Sequence, residues 1–310
     1  MGVFVYLPLV LPLTALPIAR LAEQHLHPRS ATRLLAAVGT TLALCSTVCL
    51  ALLMVVGTAQ LPSNPLPDGW SDPEVRAAVP YEEKAGIVAI GVLAAVVVAC
   101  GSAVHHHVRQ RIRAARALRS LPEQPSGVAV LPDPEPYAYA LPGVPGRVVV
   151  STAMMECLTA RERRALVAHE RAHLTARHHR YLLATQLAAR ANPFLLPLRT
   201  AVAYSTERWA DEAAALATGD RRAVAGAVGK AALFAHRSPD ALPALAAVGP
   251  IPRRVAALLD PVPPTRLWPP SSAHVAFAGL VATAGTTMSA LSSLNATVTL
   301  VRILHAATPL

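Results

Sequence analysis

The chain has 310 residues, of which 53% are hydrophobic and only 15% are charged, and its mean hydropathy is +0.41. Because soluble domains carry about 25% charged residues, this composition argues against a wholly soluble protein and predicts membrane segments. The net charge of +10 comes almost entirely from arginine, with Lys84 and Lys230 as the lysines. The arginines lie beside apolar runs, which favours the cytoplasmic face of a membrane protein over a nucleic-acid-binding surface.

Four apolar runs predict four membrane-spanning helices, because each approaches the roughly 20 residues needed to cross a bilayer. They are residues 2–19, 34–59, 86–104 and 273–294. The first run contains three prolines, so we expect a kinked span. A signal peptide is the alternative for this run, but its basic residues follow the apolar stretch instead of preceding it.

The charges between these runs predict the orientation in the plasma membrane. Residues 20–33 and 105–119 are rich in arginine, whereas residues 60–85 are acidic and rich in proline. The positive-inside rule places the two basic segments in the cytoplasm and the acidic loop outside. We therefore expect three regions: three spans in residues 1–104, a cytoplasmic domain in residues 105–271, and a fourth span with a short external tail in residues 272–310.

Three further features have plain explanations. The histidines at 105–107 read as a polar cap on the third span. The apolar run 182–198 is split by Arg190 and by Asn192-Pro193, so it is too short to cross and should pack within the domain or against the membrane. The four cysteines form no C-x-x-C pair, which favours buried small side chains over zinc thiolates.

The sequence H-E-x-x-H, from His169 to His173, carries the strongest chemical signal. It lies within residues 166–180, which we predict to be one helix that follows a capping box formed by Thr159 and Glu162. Histidines four residues apart share a helical face and can bind one zinc ion, while Glu170 can hold a water molecule on the metal.

A second signal follows at Glu207 and Asp211, which also lie four residues apart in a helical stretch that ends near Gly219. One of these carboxylates can bind zinc, and the other can accept a hydrogen bond from a ligand imidazole. Upstream, residues 136–143 and 147–151 flank a Pro-Gly turn and predict a short hairpin. Its edge could hold an extended peptide by strand addition, or could be purely structural.

The hairpin, the segment ALVAHERAHLTARHH and the segment ERWADEAAA resemble membrane-embedded gluzincin metalloproteases of the HtpX and CAAX-processing types. The expected arrangement of spans around a cytoplasmic domain resembles the transducer part of BlaR/MecR-type sensor peptidases. The resemblance implies a mainly α-helical membrane protein with about four spans and a zinc-protease domain of helices plus a small sheet. It further implies one zinc ion per chain, bound by His169, His173 and Glu207, with Glu170 as the catalytic carboxylate and Asp211 behind a ligand histidine.

Four other residues are candidates for stabilising the oxyanion or contacting the substrate: Tyr204, His178, His179 and Arg254. By the same resemblance the substrate is a protein, such as a cytoplasmic winged-helix repressor cleaved when the spans rearrange. The external sensor domain of BlaR/MecR-type receptors has no counterpart here, so antibiotic sensing is not implied. A housekeeping protease of the HtpX type and a non-catalytic membrane scaffold are the alternatives.

Overall fold

The computed structural model describes residues 5–59, 82–120, 126–234, 250–263 and 273–307. The described part is mainly helical with one small sheet, as the sequence predicts. The helices are α1 Leu7–Val10, α2 Ala15–His25, α3 Pro28–Ala59, α4 Glu82–Ser120, α5 Thr152–Cys157, α6 Ala160–Thr175, α7 His178–Ala191, α8 Leu196–Thr218, α9 Arg221–Phe234, α10 Ile251–Leu259 and α11 Ala273–Ala307.

Within the described ranges, two helices are long and apolar enough to cross a membrane: α3, and the part of α4 from Lys84 to Arg119. The most apolar window of α3 is 56% buried, whereas that of α4 is only 11% buried, so α4 leaves most of its apolar surface without protein cover. This favours association with a membrane. The predicted first span, residues 2–19, begins outside the described residues and continues over residues 5–19. The predicted fourth span, residues 273–294, lies within α11, and neither span is among these two helices. Four spans and their orientation therefore stay a prediction.

The sheet has three strands in the order β1-β3-β2: β1 Val128–Leu131, β2 Ala138–Leu141 and β3 Arg147–Ser151. Antiparallel pairing of β2 with β3 confirms the predicted hairpin. Strand β1, which pairs parallel with β3, was not predicted. It has only four residues, like β2, but the Pro-Gly turn that predicted the hairpin of β2 and β3 does not adjoin it.

The predicted helix over residues 166–180 is wrong at its carboxyl end. Helix α6 starts after the predicted capping box at Thr159, but it ends at Thr175, and α7 begins at His178. Between them Arg177 has φ 54° and ψ 45°, the left-handed conformation that usually requires glycine. Because arginine gives no sequence signal for such a turn, the pattern read as one helix.

Two apolar cores position the helices and strands that carry the predicted site residues. One joins β3, α5, α6, α8, α9 and α10 through residues that include Val148, Leu166 and Leu258. The other joins α2, α3, α7 and α8 through residues that include Leu35 and Leu198. Helix α8 contributes to both cores, so its position is fixed from two sides, and it ends at Gly219 as expected, with φ 67°.

Candidate metal centre

Helices α6 and α8 bring three possible metal ligands together. His169 and His173 lie one turn apart on α6, and their Nε2 atoms are 3.1 Å apart. Glu207 on α8 approaches from the opposite side, with Oε2 at 3.5 Å from Nε2 of His169 and Oε1 at 3.5 Å from Nε2 of His173. The three donors lie within 4.8 Å of one another.

The donor set fits a zinc ion. Tetrahedral ligands at about 2.1 Å from zinc lie about 3.4 Å from each other, and the separations of 3.1 and 3.5 Å between these donors match that edge. Two imidazoles and one carboxylate also leave one coordination position for water or substrate, as in catalytic zinc sites. His169, His173 and Glu207 could therefore hold such an ion.

A buried charged network supports the His169 side of this cluster. Nδ1 of His169 lies 3.0 Å from Oδ1 of Asp211, which is fully buried. Arg254 donates from Nε and Nη2 to the two Asp211 oxygens at 2.9 and 2.7 Å, and its Nη1 lies 3.0 Å from Oε2 of Glu207. Burial alone would raise the pKa of both carboxyls, but Arg254 and the histidines outweigh it, and the pKa of Glu207 falls to about 2.

These charges set the state of His169. Burial disfavours its protonation, but the carboxylates of Asp211 and Glu207 outweigh burial and raise the pKa of this imidazole. Nδ1 of His169 faces Asp211, and Nε2 is directed at His173 and Glu207. Carboxylates placed this way fix the tautomer and orientation of a ligand histidine.

An uncharged aromatic group supports the His173 side. Nδ1 of His173 lies 2.9 Å from Nδ1 of His178, and the His178 ring packs on Trp209 with the ring centroids 4.7 Å apart. Burial lowers the pKa of His173 and that of His178, the latter to about 3. The guanidinium groups of Arg29 and Arg33 lie 5.7 and 5.5 Å from the Trp209 ring centroid. The start of α3 therefore contacts the helix that carries Glu207.

Glu170 lies on α6 beside the donor cluster and next to the sheet. Burial raises the pKa of its carboxyl, while the charges of His169 and Arg254 and the backbone N–H of Ala140 on β2 oppose that rise. A half-buried carboxylate with a raised pKa is suited to accept and return a proton.

The remaining predicted residues, Tyr204 and His179, contact groups other than the three candidate ligands. The guanidinium carbon of Arg253 lies 4.3 Å from the centroid of the Tyr204 ring. Tyr204 also lines a cavity of about 370 Å³ with Ser205 and Arg208. His179 is half-buried, and burial together with nearby cations including Arg111 lowers its pKa to about 4.

Sequence reasoning left two relationships at this site unassigned. Arg254 was a candidate for contacting the oxyanion or substrate, and its side chain is buried against Asp211 and Glu207. The contact of the Trp209 ring with His178 was not anticipated, although Trp209 stands between Glu207 and Asp211 in the chain. A distance of five residues from His173 to His178 gives no contact on a continuous helix, so the pattern carried no signal for it.

Comparison with known proteins supports a metallopeptidase. Residues 102–192 match the model of Peptidase family M48. This part of the chain includes His169, Glu170 and His173 and ends before Glu207. The match does not confirm the more specific resemblance to BlaR/MecR-type sensor peptidases. Neither the curated proteins nor the solved structures contain a match to this chain.

Proposed function

We propose that the chain is an integral membrane zinc metalloendopeptidase. The observation that carries this proposal is the convergence of His169, His173 and Glu207 beside Glu170, with donor separations that suit a tetrahedral zinc ion. The M48 match over α6 supports the same reaction class. We infer from the distribution of arginine that the peptidase domain faces the cytoplasm.

When bound, zinc supplies a Lewis acid that lowers the pKa of a coordinated water and polarises a carbonyl. The Glu170 carboxylate takes a proton from the attacking water and passes it to the leaving amine. Burial raises the pKa of Glu170, which favours uptake of the proton from the water. Asp211 keeps the His169 proton on Nδ1, and Arg254 holds the Asp211 and Glu207 carboxylates in place.

An extended peptide fits along β2. Among the described strands β2 lies at the edge of the sheet, next to α6. The N–H of Ser151 donates to the C=O of Tyr137 at 3.0 Å, and antiparallel partners alternate between paired and outward-facing backbone groups. Ala138 and Ala140 therefore turn their backbone groups away from β3. The N–H of Ala140 contacts Glu170, and we propose that a substrate strand pairs with the backbone groups of Ala138.

We infer that this activity serves regulated proteolysis of a cytoplasmic protein, such as a winged-helix transcriptional repressor. The contact of Arg29 and Arg33 with Trp209 favours this role, because it joins the start of a candidate membrane helix to the site. A housekeeping protease of the HtpX type would have the same chemistry but a broad range of substrates. Co-expression with a repressor encoded beside this chain separates the two, since an intact repressor would count against the regulated role.

The test of the reaction uses the full chain purified in detergent, with an unfolded protein such as casein as substrate. We expect about one zinc per chain and cleavage that is lost on chelation. Glu170→Gln should keep the zinc and lose at least about 99% of the activity, since the proton acceptor is gone. Glu156→Gln, an exposed position on α5, is the matched control. Cleavage by Glu170→Gln at the wild-type rate would exclude the proposed role of Glu170, and absence of both zinc and cleavage would favour the non-catalytic scaffold.

A further inference from the structure

His178 is a buried polar side chain that the proposed reaction does not use. It is 1% exposed, and its Nδ1 lies 2.9 Å from Nδ1 of His173. Its second nitrogen, Nε2, is buried and has no hydrogen-bond partner among the described residues. Within the described residues, the His178 ring therefore makes its only polar contact with a candidate metal ligand.

The chain reaches this arrangement through an uncommon backbone conformation. On a continuous helix His178 would point about 140° away from His173, because each residue turns the helix by about 100°. The left-handed conformation of Arg177 ends α6 and starts α7 in a new direction. Because a residue with a Cβ rarely adopts that conformation, the surrounding structure must hold the turn that places His178 against His173.

One proton must lie between the two Nδ1 atoms, since each imidazole nitrogen can either donate or accept. When Nε2 of His173 offers its lone pair to a metal, the proton of this ring is on Nδ1. That N–H donates to Nδ1 of His178, and the His178 proton is then on Nε2. Packing of the His178 ring on Trp209, with the two planes inclined at 56°, keeps the acceptor in this position.

We propose that His178 is a positioning residue that accepts the Nδ1–H of His173 and thereby fixes the tautomer and ring orientation in which Nε2 of His173 faces the metal. This inference rests on the proposed function, because it assigns His173 as a ligand. A ligand imidazole usually donates to a carboxylate, a backbone carbonyl or water. A neutral histidine does the same work without adding a second buried charge beside Glu207 and Asp211.

The test compares His178→Leu, which has no acceptor, with His178→Gln, whose side-chain oxygen can accept the Nδ1–H of His173. His179→Leu is the matched control, because His179 is the next residue and is only half-buried. The readout is zinc affinity of the full-length protein in detergent, measured by competition with a chromogenic chelator. The absorption spectrum of the Co²⁺-substituted protein reports the ligand geometry.

We expect His178→Leu to weaken zinc binding about 10- to 100-fold, as is usual when the partner of a ligand histidine is removed. His178→Gln should recover much of that loss, and His179→Leu should stay within about twofold of wild type. Equal affinities for all three variants would overturn the positioning role while leaving the zinc site intact. If His178→Leu does not fold, His178→Gln decides the question alone. A zinc affinity and a cobalt spectrum like those of the wild type support the positioning role. A loss of zinc affinity of about 10-fold or more in His178→Gln contradicts it. Failure of the wild-type chain to bind zinc would overturn the proposed function itself.

Discussion

The two candidate histidine ligands are held by different kinds of surroundings. Behind His169 lies a buried charged network of Asp211 and Arg254, which joins α6, α8 and α10. Behind His173 lies an uncharged aromatic group of His178 and Trp209, contacted from outside by arginines at the start of α3.

This difference predicts separate roles for the two surroundings, one in the stability of the site and the other in its zinc affinity. A buried ion pair that loses one member leaves an uncompensated charge, which is strongly destabilising. A neutral imidazole packed against an indole can be replaced without leaving a charge behind. We therefore expect the charged side to decide whether the site forms, and the aromatic side to set how tightly it holds the metal.

The largest effect should follow removal of Arg254. Arg254→Ala leaves the buried carboxylates of Asp211 and Glu207 without their cation, so we expect a loss of about 3–5 kcal/mol in the free energy of unfolding. Zinc binding should fall with it. Chemical denaturation of the metal-free protein and zinc analysis measure the two effects.

Arg253→Ala is the control for that experiment. Its side chain is 47% exposed, pairs with Glu23 on α2 and lies over the Tyr204 ring, so its removal should cost about 1–2 kcal/mol. Similar losses in the two variants would contradict the importance of the buried charged network.

Substitution of Trp209 should act on the aromatic side. Trp209→Leu removes the ring against which His178 packs, so we expect zinc affinity to fall about tenfold and stability to fall by about 1–2 kcal/mol. Tyr181→Leu is the control, because Tyr181 contacts Trp209 at a centroid distance of 6.1 Å from a different direction. A larger loss of zinc affinity in Tyr181→Leu than in Trp209→Leu would contradict the proposal that Trp209 holds His178 in place.

A substitution at Glu162 tests stability outside the surroundings of His169 and His173. Burial raises the pKa of its carboxyl, but hydrogen bonds from Lys230 and Thr159 outweigh burial and hold the pKa below its ordinary value near 4.5. Because the folded pKa is lowered, this stabilisation is complete above about pH 4.5 and is lost as the pH falls through the folded value.

Glu162→Gln keeps the capping geometry but removes the charge. We expect it to cost about 1 kcal/mol at pH 7, with a difference from wild type that shrinks on acidification, measured by thermal unfolding between pH 7 and pH 3. Zinc affinity at pH 7 should not change. A difference that grows as the pH falls would have the wrong sign for this assignment.

Removal of the arginines that contact Trp209 should lower stability with little effect on zinc binding. Both side chains are exposed, and an exposed cation–π contact contributes about 0.5–1 kcal/mol. Arg29→Ala combined with Arg33→Ala should therefore lower stability by about 1–2 kcal/mol and leave zinc affinity within about twofold. A tenfold change in affinity would mean that the start of α3 controls the metal position as strongly as His178 does.

The sequence predicted those features that depend on local periodicity. H-E-x-x-H placed His169 and His173 on one face of α6, the Thr159 capping box located the start of that helix, and the Pro-Gly turn predicted the pairing of β2 with β3. The helix-breaking Asn192 likewise ends α7, as expected.

Features set by tertiary contacts could not be predicted in the same way. Arg177 adopts a glycine-like conformation without being glycine, so the end of α6 and the contact of His178 with His173 left no local pattern. Arg254 reaches Asp211 from 43 residues away through the packing of α10 on α8. The convergence of Glu207 with the histidines was expected from resemblance, because helix periodicity says nothing about which helices meet.

Zinc X-ray absorption spectroscopy on the purified full-length protein tests the central claim most directly. The account predicts about one zinc per chain, bound by two imidazole nitrogens and carboxylate or water oxygens at about 2.0–2.1 Å. Glu207→Ala should lose the carboxylate contribution, and the double variant His169→Ala/His173→Ala should bind no zinc at this site. A zinc ion whose spectrum is unchanged in these variants, or a wild-type protein that binds none, would contradict the assignment of His169, His173 and Glu207 as a metal centre.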